Sequence, residues 1–342
     1  MTINMLMFEF RDAEQKYFEK YKDDHFNITF YKECLNEDFL EKIPQDIMDN
    51  TSVISVFVNS RINKEILSRF KNLRIISTRS TAYDHICLEA CSDKNIALLN
   101  VPDYGKTSVA QYTMGLIIAL VRNIVRANYG KTHNIVDYNA LIGRDLSELT
   151  LGVIGTGAIG SAVCAIAKSF GMNVLGHDLK KKQELVDKFA LKYVSCDEIA
   201  KNSDVITLHL PYYEQTKYII DEKFLSKCKN QVYLVNTSQP ELVDLKSVVK
   251  YLKNGKIRGF GMDFLRSDTV DYTCPNMNGY TEKKGEIMLE QNKYFEQILD
   301  FDNVIVTPHI AYLTQDATET ILRTTFTNIK KVIQGDKMCR IV

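Results

Sequence analysis

Several features that mark whole classes of protein are absent from this sequence. The 342 residues include 43 basic and 43 acidic side chains, so the formal net charge is zero. No excess of one sign therefore indicates nucleic acid or an anionic membrane surface as a partner. No apolar run approaches the ~20 residues that cross a bilayer, and the acidic residues near the N-terminus are typical of a first strand and not of a signal peptide. The sequence has no internal repeat and no low-complexity tract.

Cysteine is present, but in no pattern that indicates disulfides or a metal site. The eight cysteines are scattered along the chain, mostly among apolar residues. Cys87 and Cys91 lie four positions apart, yet no His or Cys follows them at the spacing of metal ligands. We therefore expect structural thiols in a reducing cytoplasm, and no bound metal.

The most informative motif lies in the middle of the chain, between Leu149 and Phe170. A short apolar strand leads into a turn that contains Gly155, Gly157 and Gly160, and an apolar helix follows. Gly155 permits the tight turn, Gly157 lets the backbone approach a pyrophosphate, and Gly160 lets the helix lie close to the strand. The helix N-terminus offers free N–H groups and the positive end of its dipole to the phosphates.

A second strand completes this unit and ends on an acid. The strand 173–177 is followed by Asp178, whose carboxylate can accept hydrogen bonds from both ribose hydroxyls and should repel a 2′-phosphate. Strand, glycine turn, helix, strand and acid together predict a nucleotide-binding domain that prefers NAD to NADP.

Short apolar strands alternate with helical segments on both sides of this motif. In the first hundred residues we predict strands at Ile3–Phe10, Ile28–Tyr31, Ser52–Val58, Leu73–Thr78 and Ala97–Leu99. A long apolar stretch, Val109–Asn128, predicts one helix before the motif. After the motif, strands are predicted at Val205–Leu210, Tyr233–Asn236, Gly259–Phe264 and Val304–Thr307. The pattern indicates an α/β fold with two Rossmann-like domains and doubly wound parallel sheets.

The position of the glycine motif predicts how the two domains are connected. Such a motif commonly opens a dehydrogenase sequence, and its place in mid-chain indicates a nucleotide domain inserted into a second domain. We therefore expect a flavodoxin-like substrate domain of residues 1–103 and 308–342, including a last helix at Ala317–Gln334, and an NAD-binding domain of residues 104–307. Two crossings between domains imply a hinged cleft, where the chemistry should lie.

Several segments, in a fixed order, resemble the D-isomer-specific 2-hydroxyacid dehydrogenases, particularly their D-lactate dehydrogenase branch. Together with the glycine motif they cover nearly the whole chain; they are Thr78–Ile86, Asn100–Thr113, Leu208–Pro211, Asn236–Ser238, Gly261–Asp263 and Thr307–Ala311. The resemblance implies an NAD-linked oxidoreductase that interconverts a 2-keto acid and a D-2-hydroxy acid, and a homodimer built around the nucleotide domains.

The resemblance also implies a set of site residues. His309 matches the acid/base that exchanges a proton with the substrate oxygen, and Asp268 matches the position of its carboxylate partner. The substrate-binding residues it implies are Thr81 and Ala82, through their backbone N–H groups, with Tyr104, Arg266 and Tyr312. The cofactor-binding residues it implies are Gly155, Gly157, Ala158, Ile159, Gly160, Asp178, His209, Leu210, Pro211, Asn236, Thr237, Ser238 and Asp263, the last on the nicotinamide amide.

The chain departs from the family pattern at the substrate anchor. Gln239 stands where the family carries an Arg that holds the substrate carboxylate, Pro240 replaces a Gly, and Asp268 replaces a Glu. Asp268 keeps the negative charge of the Glu that it replaces. Gln239 lacks the positive charge of the Arg that it replaces, and it lacks the two parallel N–H donors with which an Arg binds a carboxylate. If the transition state loses ~4 kcal/mol of stabilisation, the reaction slows about a thousandfold. Pro240 also removes a backbone N–H and fixes φ, so the loop can be rerouted.

Three outcomes are compatible with this departure. Another cation replaces the Arg, with Arg266, Lys106 or Arg79 as candidates; or the substrate carries a group that suits an amide; or the chain binds NAD without turning over 2-keto acids. The third outcome makes the protein a regulatory NAD-binding homologue and not an enzyme. Retention of His309 and a nearby acid favours an enzyme.

Overall fold

The computed structural model describes residues 2–22, 24–264, 291–336 and 340–341. These residues pack as two compact units. The first unit falls within Met1–Tyr104 and Thr314–Val342, and the second comprises residues 105–264 and 291–313. Asp268 and Arg266, which the sequence places in the site, lie outside the described residues.

The first unit is built on a five-stranded parallel sheet. Its strands are β1 (Ile3–Met7), β2 (Phe26–Phe30), β3 (Val53–Val56), β4 (Ile75–Thr78) and β5 (Ala97–Leu99), in the spatial order β2-β1-β3-β4-β5. This is the strand order of flavodoxin-like doubly wound sheets. Five helices connect the strands: α1 (Gln15–Tyr21), α2 (Glu37–Leu40), α3 (Gln45–Asn50), α4 (Lys64–Ser68) and α5 (Leu88–Asp93). All residues of β3 and β4 are buried, as expected for central strands covered on both faces.

The second unit is built on a seven-stranded parallel sheet. Its strands are β6 (Thr150–Ile154), β7 (Asn173–His177), β8 (Lys192–Tyr193), β9 (Val205–Leu208), β10 (Val232–Asn236), β11 (Ile257–Asp263) and β12 (Val304–Thr307). They lie in the order β12-β11-β10-β9-β6-β7-β8. Starting from β6, the chain adds β7 and β8 on one side of the sheet and then β9 to β12 on the other, so β6 and β9 form a topological switch point. Doubly wound sheets bind ligands at such a point, beyond the carboxyl ends of the strands.

Helices pack against this sheet and connect its strands. They are α6 (Lys106–Val121), α7 (Ile124–Thr132), α8 (Ala158–Ser169), α9 (Gln183–Phe189), α10 (Cys196–Asn202), α11 (Glu222–Lys227), α12 (Leu245–Lys253) and α13 (291–299). The last helix, α14 (Gln315–Ile333), belongs to the first unit and packs there through Leu322, Phe326 and Ile329, which share a core with Met5 and Met7 of β1. The predicted α/β architecture with two parallel sheets is confirmed.

The prediction of one helix over Val109–Asn128 is wrong. The segment forms α6 and α7, which meet at a bend of 59°. Asn123 between them has a left-handed φ of +52°, a conformation that Asn tolerates better than most residues and that ends a right-handed helix. Most of α6 is buried, whereas Ile124 and Val125 at the start of α7 are exposed. No single described helix has the length and apolar composition to cross a membrane; α6 and α7 meet that criterion only as a bent pair.

Candidate active site

The glycine turn after β6 forms a cradle open to a ligand. Gly155 has a φ of +92°, and a Cβ there would lie 2.4 Å from the carbonyl oxygen of His209. A Cβ on Gly160 would lie 1.9 Å from the carbonyl oxygen of Gly155, whereas a Cβ on Gly157 would meet no atom within 4 Å. Two glycines therefore serve close packing, and the third leaves open space at the N-terminus of α8, where Ala158 and Ile159 form the first turn. These residues fit the pyrophosphate of a dinucleotide.

The acid after β7 is held by the glycine turn itself. One carboxylate oxygen of Asp178 accepts from the backbone N–H and the hydroxyl of Thr156, at 2.6 and 3.1 Å, and the other accepts from the N–H of Lys180 at 2.9 Å. Partial burial acts to raise the pKa of the Asp178 carboxyl, but the hydrogen bonds from Lys180 and Thr156 outweigh it and hold that pKa below its usual range. Asp178 is therefore a fixed anion beside the turn.

His209 follows β9 and is buried against this turn. Its Nε2 lies 3.2 Å from the hydroxyl of Thr207, and among the described residues its Nδ1 has no hydrogen-bond partner. Burial lowers the pKa of the imidazole to about 3, so His209 is neutral over the working range of most enzymes. Leu210 is half-buried and Pro211 is exposed at the same strand end.

The loop after β10 is tied to its neighbours by three consecutive polar side chains. Asn236 accepts from the N–H of Ser238 and donates to the carbonyl of Gln239, at 3.0 and 2.9 Å. The hydroxyl of Thr237 lies 2.8 Å from that of Thr113 on α6, and the hydroxyl of Ser238 donates to the carbonyl of Leu208 at 2.9 Å. Asn236, Thr237 and Ser238 therefore fix the loop between β9 and α6.

Gln239 begins a short 3-10 turn, Pro240–Leu242. Pro240 occupies the first position of this turn, where a backbone N–H has no partner within the turn and the fixed φ of proline suits the geometry. Gln239 is half-buried, and its backbone accepts the bond from Asn236. The proline therefore gives the loop a defined bend at the position where the family resemblance implies a substrate anchor.

Asp263, the last residue of β11, holds the loop that carries His309. This buried carboxylate accepts from the hydroxyl of Thr307 at 2.6 Å, from the N–H of Ile310 at 2.9 Å and from the N–H of Ala311 at 2.7 Å. Residues on both sides of His309 are thus bonded to one side chain. A carboxylate has about four acceptor positions, so these three bonds leave room for the predicted bond to the nicotinamide amide.

His309 projects from this loop. The side chain is exposed, and its backbone has a left-handed φ of +54°, a conformation that His adopts more readily than most residues other than glycine. Its N–H donates to the carbonyl of Thr307 at 3.0 Å across Pro308. Its ring and that of the buried Tyr312 form a T-shaped pair, with centroids 6.4 Å apart.

The second unit therefore brings most of the predicted site residues to one edge of its sheet. The glycine turn, Asp178, His209, the loop after β10, Asp263 and the His309 loop all follow the carboxyl ends of β6, β7, β9, β10, β11 and β12. Sequence reasoning missed Thr156 and Tyr193, whose hydroxyls lie 2.9 Å apart behind Asp178. Thr156 could have been predicted as part of the site from its position inside the glycine motif. No feature of the sequence indicates Tyr193.

Other predicted substrate residues belong to the first unit. Thr81 and Ala82 are exposed, with the hydroxyl of Thr81 bonded to the carbonyl of Val101 at 3.1 Å, and Tyr104 is half-buried. Arg79 does not suit the role of replacement cation. It is 1% exposed, and its guanidinium donates to the carbonyls of Phe8 and Glu9 at 2.9 and 3.0 Å. Sequence position could not show that this Arg faces the interior of its own unit.

Lys106 is exposed as the first residue of α6 and is still a candidate cation. Within the described ranges no group of three or more His, Cys, Asp or Glu side chains is placed to hold a metal ion.

Comparisons with known proteins agree with this geometry. Residues 114–311 match the family model "D-isomer specific 2-hydroxyacid dehydrogenase, NAD binding domain". The chain is 32% identical to "2-hydroxyacid dehydrogenase homolog 1" of Schizosaccharomyces pombe, over 96% of this chain and 95% of that protein. It is 32% identical to "Aromatic 2-oxoacid reductase" of Clostridium sporogenes, over 81% of this chain and 82% of that protein. The structure of D-lactate dehydrogenase from Aquifex aeolicus, complexed with NAD and lactic acid, superposes with a TM-score of 0.78 at 34% identity, covering 97% of this chain and 96% of that one.

Fold and site together define a two-unit α/β oxidoreductase with an NAD-binding unit. The chain belongs to the D-isomer-specific 2-hydroxyacid dehydrogenase family. The predictions of fold class, family and NAD as the cofactor are confirmed; the roles of individual site residues stay predictions.

Proposed function

We propose that this protein reduces a 2-keto acid to the D-2-hydroxy acid with NADH, and catalyses the reverse reaction with NAD. The observation that carries the proposal is the His309 loop, which Asp263 holds at the same sheet edge as the dinucleotide cradle. An imidazole fixed there can exchange a proton with the substrate oxygen. Family membership supports the same reaction.

Each residue then has a defined task in the reduction. When bound beside this loop, NADH would supply a hydride to the keto carbon. His309 donates its proton to the keto oxygen, which becomes the hydroxyl of the product, and Asp268 keeps the imidazole protonated before this step. The backbone N–H groups of Thr81 and Ala82 bind the substrate carboxylate. Gly155, Gly157, Gly160 and Asp178 hold the pyrophosphate and the adenosine ribose.

Gln239 gives this enzyme an atypical substrate pocket. An amide offers one donor group and one acceptor, whereas the Arg implied by the family offers a charged fork to a carboxylate. We infer that Gln239 contacts the substrate and favours one with an additional polar group. Arg266 or Lys106 supplies the positive charge that the substrate carboxylate requires.

We also propose that the protein is a homodimer. The segment from α7 to residue 142 exposes a group of large apolar side chains: Ile124, Val125, Tyr129, Ile135, Val136, Tyr138 and Ile142. Ile135 and Tyr138 are 70% and 82% exposed. An apolar patch of this kind on one segment is typical of a protein interface, and a second copy of the nucleotide unit is the partner that the family resemblance implies.

The six described cysteines form no disulfide. Burial raises the pKa of the Cys91, Cys164 and Cys228 thiols to about 12, so these thiols are unreactive. Free thiols of this kind support our proposal that the protein works in the reducing cytoplasm.

The proposed reaction is tested by mixing the protein with NADH and a panel of 2-keto acids: small, branched, aromatic, amino-bearing and phosphono. We expect loss of NADH absorbance with at least one member. His309→Ala should remove this activity and leave the affinity for NADH within about twofold of the parent protein. Tight NADH binding without turnover across the whole panel would instead identify a non-catalytic NAD-binding homologue.

A further inference from the structure

A hydrogen-bonded network behind the glycine turn includes a cation that the proposed function does not use. The hydroxyl of Tyr193 lies 2.9 Å from that of Thr156 and accepts from the N–H of Lys182 at 3.0 Å. Thr156 in turn donates to Asp178. The segment from Asp178 to Lys182 is thereby held against the turn at both ends, by Thr156 at Asp178 and through Tyr193 at Lys182, and the N–H of Lys180 closes the segment on Asp178 at 2.9 Å.

The ammonium group of Lys182 is placed over the first turn of α8. It donates to the carbonyl of Gly157 at 3.1 Å and to the hydroxyl of Ser161 at 3.0 Å. An ammonium has three donors, so a third is available to a ligand. The adjacent space is open, because a Cβ on Gly157 would meet no atom within 4 Å.

Asp178 and Lys182 act on the same region with opposite charges. The positive charge of Lys182 contributes to the lowered pKa of the Asp178 carboxyl. Lys182 therefore offsets part of the repulsion that an isolated Asp178 would exert on a second anion near the ribose. A phosphate is the anion that a dinucleotide can carry there, on the ribose 2′-oxygen.

We propose that Lys182 sets the discrimination between NAD(H) and NADP(H), by offering an ammonium donor to a 2′-phosphate beside the repelling carboxylate of Asp178. The site accordingly prefers NADH but accepts NADPH. This inference rests on the proposed cofactor site, and not on the proposed reaction. Tyr193 is a positioning residue, because its hydroxyl accepts from the backbone N–H of Lys182 and lies 2.9 Å from the hydroxyl of Thr156.

The test measures binding of two probes that cannot undergo hydride transfer. Titration calorimetry with ADP-ribose and with 2′-phospho-ADP-ribose gives a ratio of dissociation constants for each variant. We expect Lys182→Gln to weaken binding of the 2′-phosphorylated probe about tenfold, since one charge-assisted hydrogen bond is lost, and to change binding of ADP-ribose less than threefold. Lys182→Arg should restore the ratio to within threefold of the parent value.

Lys188→Gln is the matched control. Lys188 is an exposed lysine on α9 that pairs with Glu184. The substitution Lys188→Gln therefore removes the same charge as Lys182→Gln without affecting the glycine turn. The affinities for both probes should stay within twofold of the parent values. Equal weakening of both probes in Lys182→Gln would overturn the proposal and assign Lys182 a purely structural role. An unchanged ratio would also overturn it. Because no turnover is involved, either result is distinct from failure of the proposed reaction.

Discussion

The carboxylate of Asp263 accepts a hydrogen bond from the backbone N–H of Ala311 at 2.7 Å, and this bond closes the loop that carries His309. Two further bonds, from Thr307 and Ile310, come from residues on either side of the His. Three hydrogen bonds to one carboxylate thereby fix the left-handed backbone conformation of His309. Asp263 thus ties the end of β11 to the loop that carries His309, the proposed proton donor.

Asp263→Asn should weaken both the loop and the catalysis. The amide nitrogen of Asn cannot accept a hydrogen bond, so at least one of the three donors loses its partner. We expect the free energy of unfolding in urea to fall by about 2–4 kcal/mol and kcat/KM to fall at least tenfold at saturating NADH. Asp197→Asn is the control, because Asp197 forms an exposed pair with Lys227; it should cost under about 1 kcal/mol. Equal effects of the two substitutions would contradict the role of Asp263.

Alanine substitutions in the glycine turn should distinguish the glycine that is needed for cofactor binding from the glycine that is needed for packing. Gly157→Ala adds a methyl group in open space, so the melting temperature of the free protein should hold while NADH affinity falls about tenfold or more, as the methyl occupies the pyrophosphate position. Gly160→Ala forces a contact with the carbonyl of Gly155 and should destabilise the fold by about 1–3 kcal/mol or more.

Gly115→Ala provides the control for this series. A Cβ at this exposed position of α6 meets nothing within 4 Å, so the variant should gain about 0.5–1 kcal/mol of stability and bind NADH normally. Normal NADH affinity in Gly157→Ala would show that the open space is not the phosphate site, and unfolding of that variant would show that the space is not open.

Because His209 is buried, the free energy of unfolding should decrease in mild acid. Burial lowers its pKa to about 3 in the folded protein, whereas an unfolded His titrates near ~6.5. Between these values the unfolded chain binds the extra proton, so the free energy of unfolding decreases as the pH falls from about 6.5, by up to ~1.4 kcal/mol per pH unit for this group.

Urea unfolding of the parent protein and of His209→Gln from pH 8 to pH 4.5 measures this contribution. The variant should show a slope smaller by about 1 kcal/mol per pH unit below pH 6, and the two slopes should coincide above pH 7.5. Identical slopes across the whole range would mean that the fold does not lower the pKa of His209.

Gln239→Arg tests the altered substrate anchor. A guanidinium at this position restores a bidentate partner for a carboxylate, so kcat/KM for pyruvate should rise, by as much as about a hundredfold if ~3 kcal/mol of binding is recovered. Gln239→Lys adds the charge without the fork and should recover less. No gain in either variant would show that the bend at Pro240 has moved the side chain away from the substrate.

The sequence predicts the NAD unit well because its chemistry is local. A strand, three glycines, a helix and an acid within thirty residues suffice to place the cradle and Asp178. The break at Asn123 was not predicted, since periodicity and composition carry no signal for one left-handed residue. Contacts between residues distant in sequence could not be predicted either. They include the contacts that bury Arg79, the hydrogen bonds between Asp263 and the His309 loop, and the network through Tyr193.

The chirality of the product is the most direct test of the proposed reaction. The protein is incubated with excess NADH and the best 2-keto acid of the panel, and the hydroxy acid is resolved by chiral chromatography. We expect the D-enantiomer alone, in amounts equal to the NADH consumed, and none from His309→Gln. Formation of the L-enantiomer, or an undiminished yield from His309→Gln, would contradict the assignment of this site.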